Sequence, residues 1–109
     1  MENNLHLQKC IPCTKKTPKL TTVEIEKFKS QISSNWSVIN NHHLHKSFKL
    51  KNFIEALSLT NKIGSVSETA GHHPNISLTW GKVDIMIYTH LIDGLSESDF
   101  ILAAKIDQL

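Results

Sequence analysis

Hydrophobic and polar residues alternate on both sides of Gly81-Lys82, and this is the most regular pattern in the chain. The hydrophobic positions of the two runs are Ile76, Leu78, Trp80, Val83, Ile85 and Ile87. A period of two is typical of strands that bury one face. The pattern predicts a hairpin with Gly81-Lys82 as a two-residue turn.

The register of this hairpin decides which side chains meet. If Trp80 pairs with Val83, then His73 lies opposite His90, with His72 one residue away. Directly opposed residues have Cβ atoms roughly 4.5–5.5 Å apart. Pro74 also disfavours a helical conformation at His73, so a strand can begin there. The pattern predicts three histidines close together, and it predicts Trp80 on the apolar face as a core residue.

The first half of the chain shows one helical pattern and one further hairpin. Residues 21–24 fit a capping box, and the apolar spacing that follows predicts a helix from about Thr22 to Ser33. Residues 36–38 alternate as a short strand, residues 40–43 form a turn, and residues 44–50 suggest the returning strand.

Two more helices follow from their capping signals. Asn52 is a plausible N-cap for a helix that extends to about Ala70, where Gly71 would end it. Residues 96–99 would cap a last helix that runs to the C-terminus. The order αββαββα predicts a single α+β domain, a four-stranded antiparallel sheet with three helices on one face. We expect residues 1–19 to be an extended arm, residues 20–109 the domain, and the sheet edges to be paired or covered in an oligomer.

Composition narrows the class of protein. The chain has 109 residues, of which 39% are hydrophobic and 20% charged, and these are globular rather than disordered values. A net charge of +2 is too small to indicate nucleic-acid binding. There is no apolar run of about 18 residues and no signal-peptide pattern at the start, so we expect a cytoplasmic protein without a membrane span.

The two cysteines, Cys10 and Cys13, form a CxxC sequence. A redox CxxC usually opens a helix after a strand, and a structural zinc site needs about four ligands. Neither context is present, so we interpret both as thiols in a loose arm. A zinc site with His6 and another histidine is the alternative.

The other histidines carry less information. We predict that His6, His42, His43 and His45 are ordinary solvated or core side chains, and the His42-His43 pair shows that a HisHis dipeptide alone is weak evidence. Three convergent histidines could bind zinc or act as acid and base without a metal. Carboxylates that could orient them are those of Glu68, Asp93 and Asp99.

The spacing of Glu68, His72-His73-Pro74, Trp80, His90 and Asp99 resembles the signature of the pterin-4a-carbinolamine dehydratases. The similarity spans residues 20–109 and includes GHHP, WGKV and GLSESDFILAAKID, and the CIPC arm is similar to that of bacterial members. The resemblance implies a cofactor-free, metal-free dehydration of 4a-hydroxytetrahydropterin to quinonoid dihydropterin, which recycles the pterin of aromatic amino acid hydroxylases.

The resemblance also implies site residues and partners. His72, His73 and His90 would be catalytic, with Glu68 and Asp99 in support. The positions expected to contact the pterin are Gly71, Pro74, Tyr88, Thr89 and Leu91. A homodimer or homotetramer is expected, with no nucleic-acid or membrane partner. The alternative is a non-catalytic binding module, because animal relatives also serve as dimerisation cofactors of a homeodomain transcription factor.

Overall fold

Seven helices and strands follow one another in the predicted order αββαββα in a computed structural model that describes residues 4–109. They are α1 (Thr22–Lys29), β1 (Ser37–Ile39), β2 (His43–Lys49), α2 (Phe53–Ala70), β3 (Asn75–Thr79), β4 (Lys82–Ile87) and α3 (Glu97–Ile106). Short 3₁₀ helices occur at Leu5–Leu7 and His90–Ile92. The strands form one antiparallel sheet in the order β1-β2-β4-β3. The predicted fold class is therefore confirmed.

The helix boundaries follow the capping signals. Thr21 and Glu24 form the predicted capping box at the start of α1. The Asn52 side chain accepts a hydrogen bond from the Glu55 N–H, and Gly71 ends α2 in the left-handed region at φ 70°. In α1 the predicted end at Ser33 is wrong, because the helix stops at Lys29. The Ser33 N–H instead donates to Asp107 Oδ2 at 2.9 Å, which draws the chain away from the helix.

The turn of the second hairpin lies one residue earlier than predicted. Thr79 pairs with Lys82 and Leu78 with Val83, so Trp80 and Gly81 occupy the turn. Gly81 has φ 69°, and its carbonyl accepts a hydrogen bond from the Leu50 N–H at 2.8 Å. Glycine adopts this backbone conformation without steric cost, which explains why it is the second turn residue.

The predictions that depended on the turn change accordingly. Trp80 is 72% exposed, so its predicted place in the core is wrong. The predicted assignment of residues to the two faces of the sheet is still correct, because the observed pairing differs from the predicted register by two residues. Ile76 and Leu78 therefore lie on the face that carries the buried Val83, Ile85 and Ile87.

One face of the sheet and the helices enclose the core. Phe28 of α1 stacks on Phe100 of α3 with ring centroids 5.6 Å apart. α2 contacts β3, β4 and α3. Lys46 also points into this face, where its Nζ lies 3.1 Å from Asp107 Oδ1 and 4.7 Å from the centroid of the Phe48 ring. An ion pair with Asp107 and a contact with the Phe48 ring thus stabilise the Lys46 ammonium in the core.

The N-terminal segment packs against the domain. Leu5 is fully buried, and the 3₁₀ helix around it contacts α3. The Lys105 ammonium of α3 donates to the His6 carbonyl at 2.8 Å. The segment is therefore held in place rather than loose, and residues 9–14 form neither helix nor strand. Within residues 4–109, no helix has the length and apolar content needed to cross a membrane.

Candidate active site

The junction between α2 and β3 positions the first two histidines of the site. Gly71 turns the chain out of α2, and the His72 N–H still bonds to the Ser67 carbonyl at 3.2 Å. Pro74 then precedes the first residue of β3, so His72 and His73 lie in a short irregular link. Both ends of this link are fixed by regular structure, which limits the positions that the two imidazoles can reach.

The segment after β4 positions the third histidine. Thr89 forms an isolated antiparallel bridge with Gly94, and its N–H donates to the Gly94 carbonyl at 2.8 Å. The loop closed by this bridge contains the 3₁₀ helix His90–Ile92. His90 therefore lies on a closed loop rather than on a strand.

The predicted cross-strand pair of His73 and His90 does not form. The β3–β4 ladder ends at Asn75 and Met86, and both histidines lie beyond it. They nevertheless line one cavity of about 430 Å³ together with His72. The convergence predicted from the wrong register thus arises because two connecting segments lie side by side.

Most of the expected substrate contacts line the same cavity. Its lining residues are Cys10, Ile11, Pro12, Cys13, Ala70, Gly71, His72, His73, Tyr88, Thr89, His90 and Leu91. Of the expected residues Pro74 is missing from this lining, and Glu68 and Asp99 act on the histidines from outside it. Three larger surface grooves, of about 450, 750 and 910 Å³, hold only one histidine among their lining residues, His6, so the histidine cavity is the candidate site.

Asp99 supports His72 and also caps α3. Its Oδ1 lies 2.5 Å from His72 Nε2, and its Oδ2 accepts hydrogen bonds from the Ser96 N–H and from the Thr89 hydroxyl. The carboxylate is completely buried. Because a carboxylate oxygen accepts, Nε2 of His72 carries a proton, and Nδ1 is the nitrogen left for proton exchange.

The other two histidines are more open. His73 Nε2 lies 2.7 Å from Glu68 Oε1, and the two side chains are 63% and 81% exposed. Exposed pairs of this kind are weak and easily rearranged. The His90 ring stacks on Tyr88 with centroids 4.2 Å apart, and no side chain within residues 4–109 forms a hydrogen bond with its nitrogens. His90 is therefore free to bond with a molecule in the cavity.

A second histidine pair, missed as a functional feature in the sequence, lies behind Tyr88. The His42 ring lies 4.6 Å from the Tyr88 ring, and its Nε2 lies 2.7 Å from Asp93 Oδ1. His42 Nδ1 is 3.0 Å from His43 Nδ1. Burial, together with the neighbouring His42, lowers the pKa of His43 below its usual range. No sequence signal indicates this contact, because β2 and the segment after β4 are brought together only by sheet pairing.

The CxxC segment forms one wall of the cavity. The Ile11 N–H donates to Ser98 Oγ at 2.9 Å, and that hydroxyl donates to the Ile11 carbonyl at 3.0 Å. The Cys10 thiol points to the Ser98 carbonyl at 3.5 Å. Burial raises the pKa of the Cys10 thiol, and the Asp99 carboxylate acts in the same direction. Both cysteines are free thiols. Among residues 4–109, no three His, Cys, Asp or Glu side chains are arranged to hold a metal ion.

Comparison with known proteins gives the cavity a family context. Residues 18–109 match the family model described as pterin 4 alpha carbinolamine dehydratase. A protein of Alkaliphilus metalliredigens, provisionally named a pterin-4-alpha-carbinolamine dehydratase, is 58% identical over 97% of this chain and 96% of its own length. One of Rubrobacter xylanophilus with the same provisional name is 44% identical over 94% of each chain.

Solved structures agree with these relatives in fold. A transcriptional coactivator/pterin dehydratase from Brucella melitensis superposes with a TM-score of 0.76 at 25% identity, over 84% of this chain and 97% of that one. A pterin dehydratase-like RuBisCO assembly factor of the α-carboxysome superposes with a TM-score of 0.58 at 22% identity, over 68% of this chain and 87% of that one. The second likeness shows the fold alone.

Proposed function

The chain belongs to the pterin 4 alpha carbinolamine dehydratase family, and from this membership we propose that it dehydrates 4a-hydroxytetrahydropterin to quinonoid dihydropterin by histidine acid–base catalysis. The observation that carries the proposal is the convergence of His72, His73 and His90 on one cavity. The enzyme would be a hydro-lyase, with the pterin as substrate and no bound cofactor.

The reaction needs one proton donor and one proton acceptor. A protonated imidazole donates to the 4a-hydroxyl as its bond to carbon breaks and water leaves, and a neutral imidazole accepts a proton from a ring nitrogen. Histidine serves both roles because its unperturbed pKa is near 6.5, so both forms are present around neutral pH. Positioned acids and bases of this kind contribute about 10²–10⁴-fold in rate.

The surroundings of the three histidines support different tasks. His72 is held by the buried Asp99, so it is the most precisely oriented imidazole of the site. His90 has no hydrogen-bonding side chain on its nitrogens within the described residues, which leaves both for substrate. His73 is largely exposed and its pair with Glu68 is weak, so its ring can reorient toward a bound substrate.

Family membership also supports a proposal about the wider role. We propose that the product feeds recycling of the pterin used by aromatic amino acid hydroxylases. A cytoplasmic location and a homodimeric or homotetrameric state remain predictions of the sequence. Within residues 4–109, no observation favours the non-catalytic binding role over catalysis.

The test is the rate of 4a-hydroxytetrahydropterin dehydration by purified, chelator-treated protein, measured against the spontaneous reaction. We expect an acceleration that disappears when His72, His73 and His90 are all replaced by Ala. Absence of acceleration by the wild-type protein, or equal acceleration by the triple variant, would overturn the proposal.

A further inference from the structure

Two consecutive ring contacts, from His42 to Tyr88 and from Tyr88 to His90, lead from outside the cavity into it. The ring centroids of His42 and Tyr88 are 4.6 Å apart. Tyr88 stacks on His90 with ring centroids 4.2 Å apart and an angle of 30° between the ring planes. Tyr88 and His90 line the histidine cavity, whereas His42 does not. The Tyr88 ring therefore contacts both His42 and a histidine of the site.

The same histidine is tied to the loop that carries His90. Asp93 ends the 3₁₀ helix His90–Ile92 in the left-handed region at φ 50°, and its carboxylate bonds to His42 Nε2 at 2.7 Å. That contact lowers the pKa of Asp93. His42 follows two asparagines with positive φ in the β1–β2 turn, and its N–H is bonded to the Ile39 carbonyl at 2.8 Å. His42, at the end of this turn, thus contacts both Tyr88 and the residue that ends the loop.

We propose that His42 is a positioning residue for His90 and acts on it through the Tyr88 ring. This inference rests on the proposed function, in which His90 exchanges a proton with the substrate. His90 has no hydrogen bond from a side chain among the described residues to fix its ring, so the Tyr88 stack is its main lateral restraint. His42 keeps the Tyr88 ring from tilting away from it.

The ring contact outweighs the ion pair. The Asp93 side chain is 82% exposed and that of His42 33%, and exposed ion pairs contribute little. Packed aromatic pairs contribute more, and their loss corresponds to a roughly two- to tenfold change in rate if the contact is needed in the transition state. We therefore expect the ring of His42, rather than its charge, to control His90.

The decisive experiment is steady-state dehydration kinetics for a set of variants. His42→Ala should lower kcat about two- to tenfold with KM little changed. His42→Phe, which keeps a ring on Tyr88 and loses the bond to Asp93, should recover most of kcat. In a Tyr88→Ala background, His42→Ala should have no further effect, because the intermediary ring is missing.

His45→Ala is the matched control. His45 lies on β2, three residues after His42, and it also faces a carboxylate, with its Nε2 3.4 Å from Asp84 Oδ1, but it does not touch Tyr88. It should retain wild-type kinetics. If His42→Ala retains wild-type kcat, or lowers it equally with and without Tyr88, the positioning role is wrong. The proposed function fails separately, by absence of catalysis in the wild-type protein.

If His42→Ala folds poorly, the His42→Phe and Asp93→Asn variants decide between the two contacts of His42. Loss of kcat in both variants would show that the charge and not the ring is needed, and would overturn the proposal.

Discussion

His72 Nε2 and Asp99 Oδ1 lie 2.5 Å apart, and this contact joins the start of α3 to the junction that precedes β3. The carboxylate is buried, and its other oxygen completes the capping box with Ser96. One side chain therefore caps the start of a helix and orients a histidine, so the stability of α3 and the geometry of the site depend on the same residue.

Replacing Asp99 by Asn should impair the proposed catalysis more than the fold. An amide can still accept a hydrogen bond from the Ser96 N–H, but it lacks the charge that orients the His72 imidazole and stabilises it when protonated. We expect dehydration to slow by about 10²-fold, measured by initial rates. Ser96→Ala is the control, because it removes the hydroxyl that bonds to Thr89 and Asp99 at the start of α3 without touching His72, and it should cost only about 1 kcal/mol of unfolding free energy. Equal activity in the two variants would contradict the role of Asp99.

Single replacement of His73 or His90 by Ala should slow dehydration by about 10²-fold or more without unfolding the protein. Both side chains are at the surface of the cavity, and neither belongs to the buried core. Thermal unfolding midpoints close to that of the wild type, recorded alongside the rates, would confirm that the loss is catalytic. Wild-type rates in both variants would remove these histidines from the mechanism.

Asp107 should be important for stability and not for catalysis. It accepts hydrogen bonds from Trp36 Nε1 and from the Ser33 N–H at 2.9 Å each, and it is paired with the nearly buried Lys46 at 3.1 Å. Asp107→Ala leaves that ammonium without its partner, and should lower the free energy of unfolding by about 3 kcal/mol. Lys46→Met removes the ammonium, but Asp107 keeps its hydrogen bonds from Trp36 and Ser33, so this variant should lower the free energy of unfolding less than Asp107→Ala does. Urea unfolding measures both, and a larger loss in Lys46→Met would refute this account.

The two cysteines should react with iodoacetamide at different rates. Burial raises the pKa of the Cys10 thiol, so a smaller fraction is thiolate at pH 8, and only the thiolate is nucleophilic. Mass spectrometry of partly labelled protein should therefore show Cys13 modified before Cys10. In denaturant the difference should shrink. Faster labelling of Cys10 in the native protein would show that the wall of the cavity is more open than the contacts with Ser98 indicate.

His43 should make the protein less stable in mild acid. Its pKa is lowered in the folded state, mainly by burial, so below about pH 6.5 the unfolded chain binds more protons at this site than the folded one. The stability that neutral His43 contributes is present above the unfolded pKa and is lost as pH falls through the folded pKa. Urea unfolding at pH 7.5 and 5.5 should show a smaller acid-induced loss in His43→Gln than in the wild type. An equal acid-induced loss of stability in both proteins would show that His43 does not cause it.

Signals that act within a few residues of the chain determined much of this protein. The capping residues Thr21, Asn52 and Ser96 fixed where the helices begin, and Gly71 fixed the end of α2. Alternation fixed which side of each strand is apolar, and it did so despite an error in register, because a shift of two residues preserves the face. These features depend on local hydrogen bonds and on side-chain period, which are properties of short stretches of sequence.

Only the tertiary structure decided the contacts between segments far apart in the chain. Trp80 entered the turn because Gly81 was needed at a positive φ next to the Leu50 backbone. The CxxC segment became a wall of the cavity through Ser98, and His42 reached Tyr88 because β2 pairs with β4. Such contacts arise from the packing of whole elements, to which many distant residues contribute, so no spacing within the sequence encodes them. The sequence thus determined which histidines to consider, and packing determined what holds each of them in place.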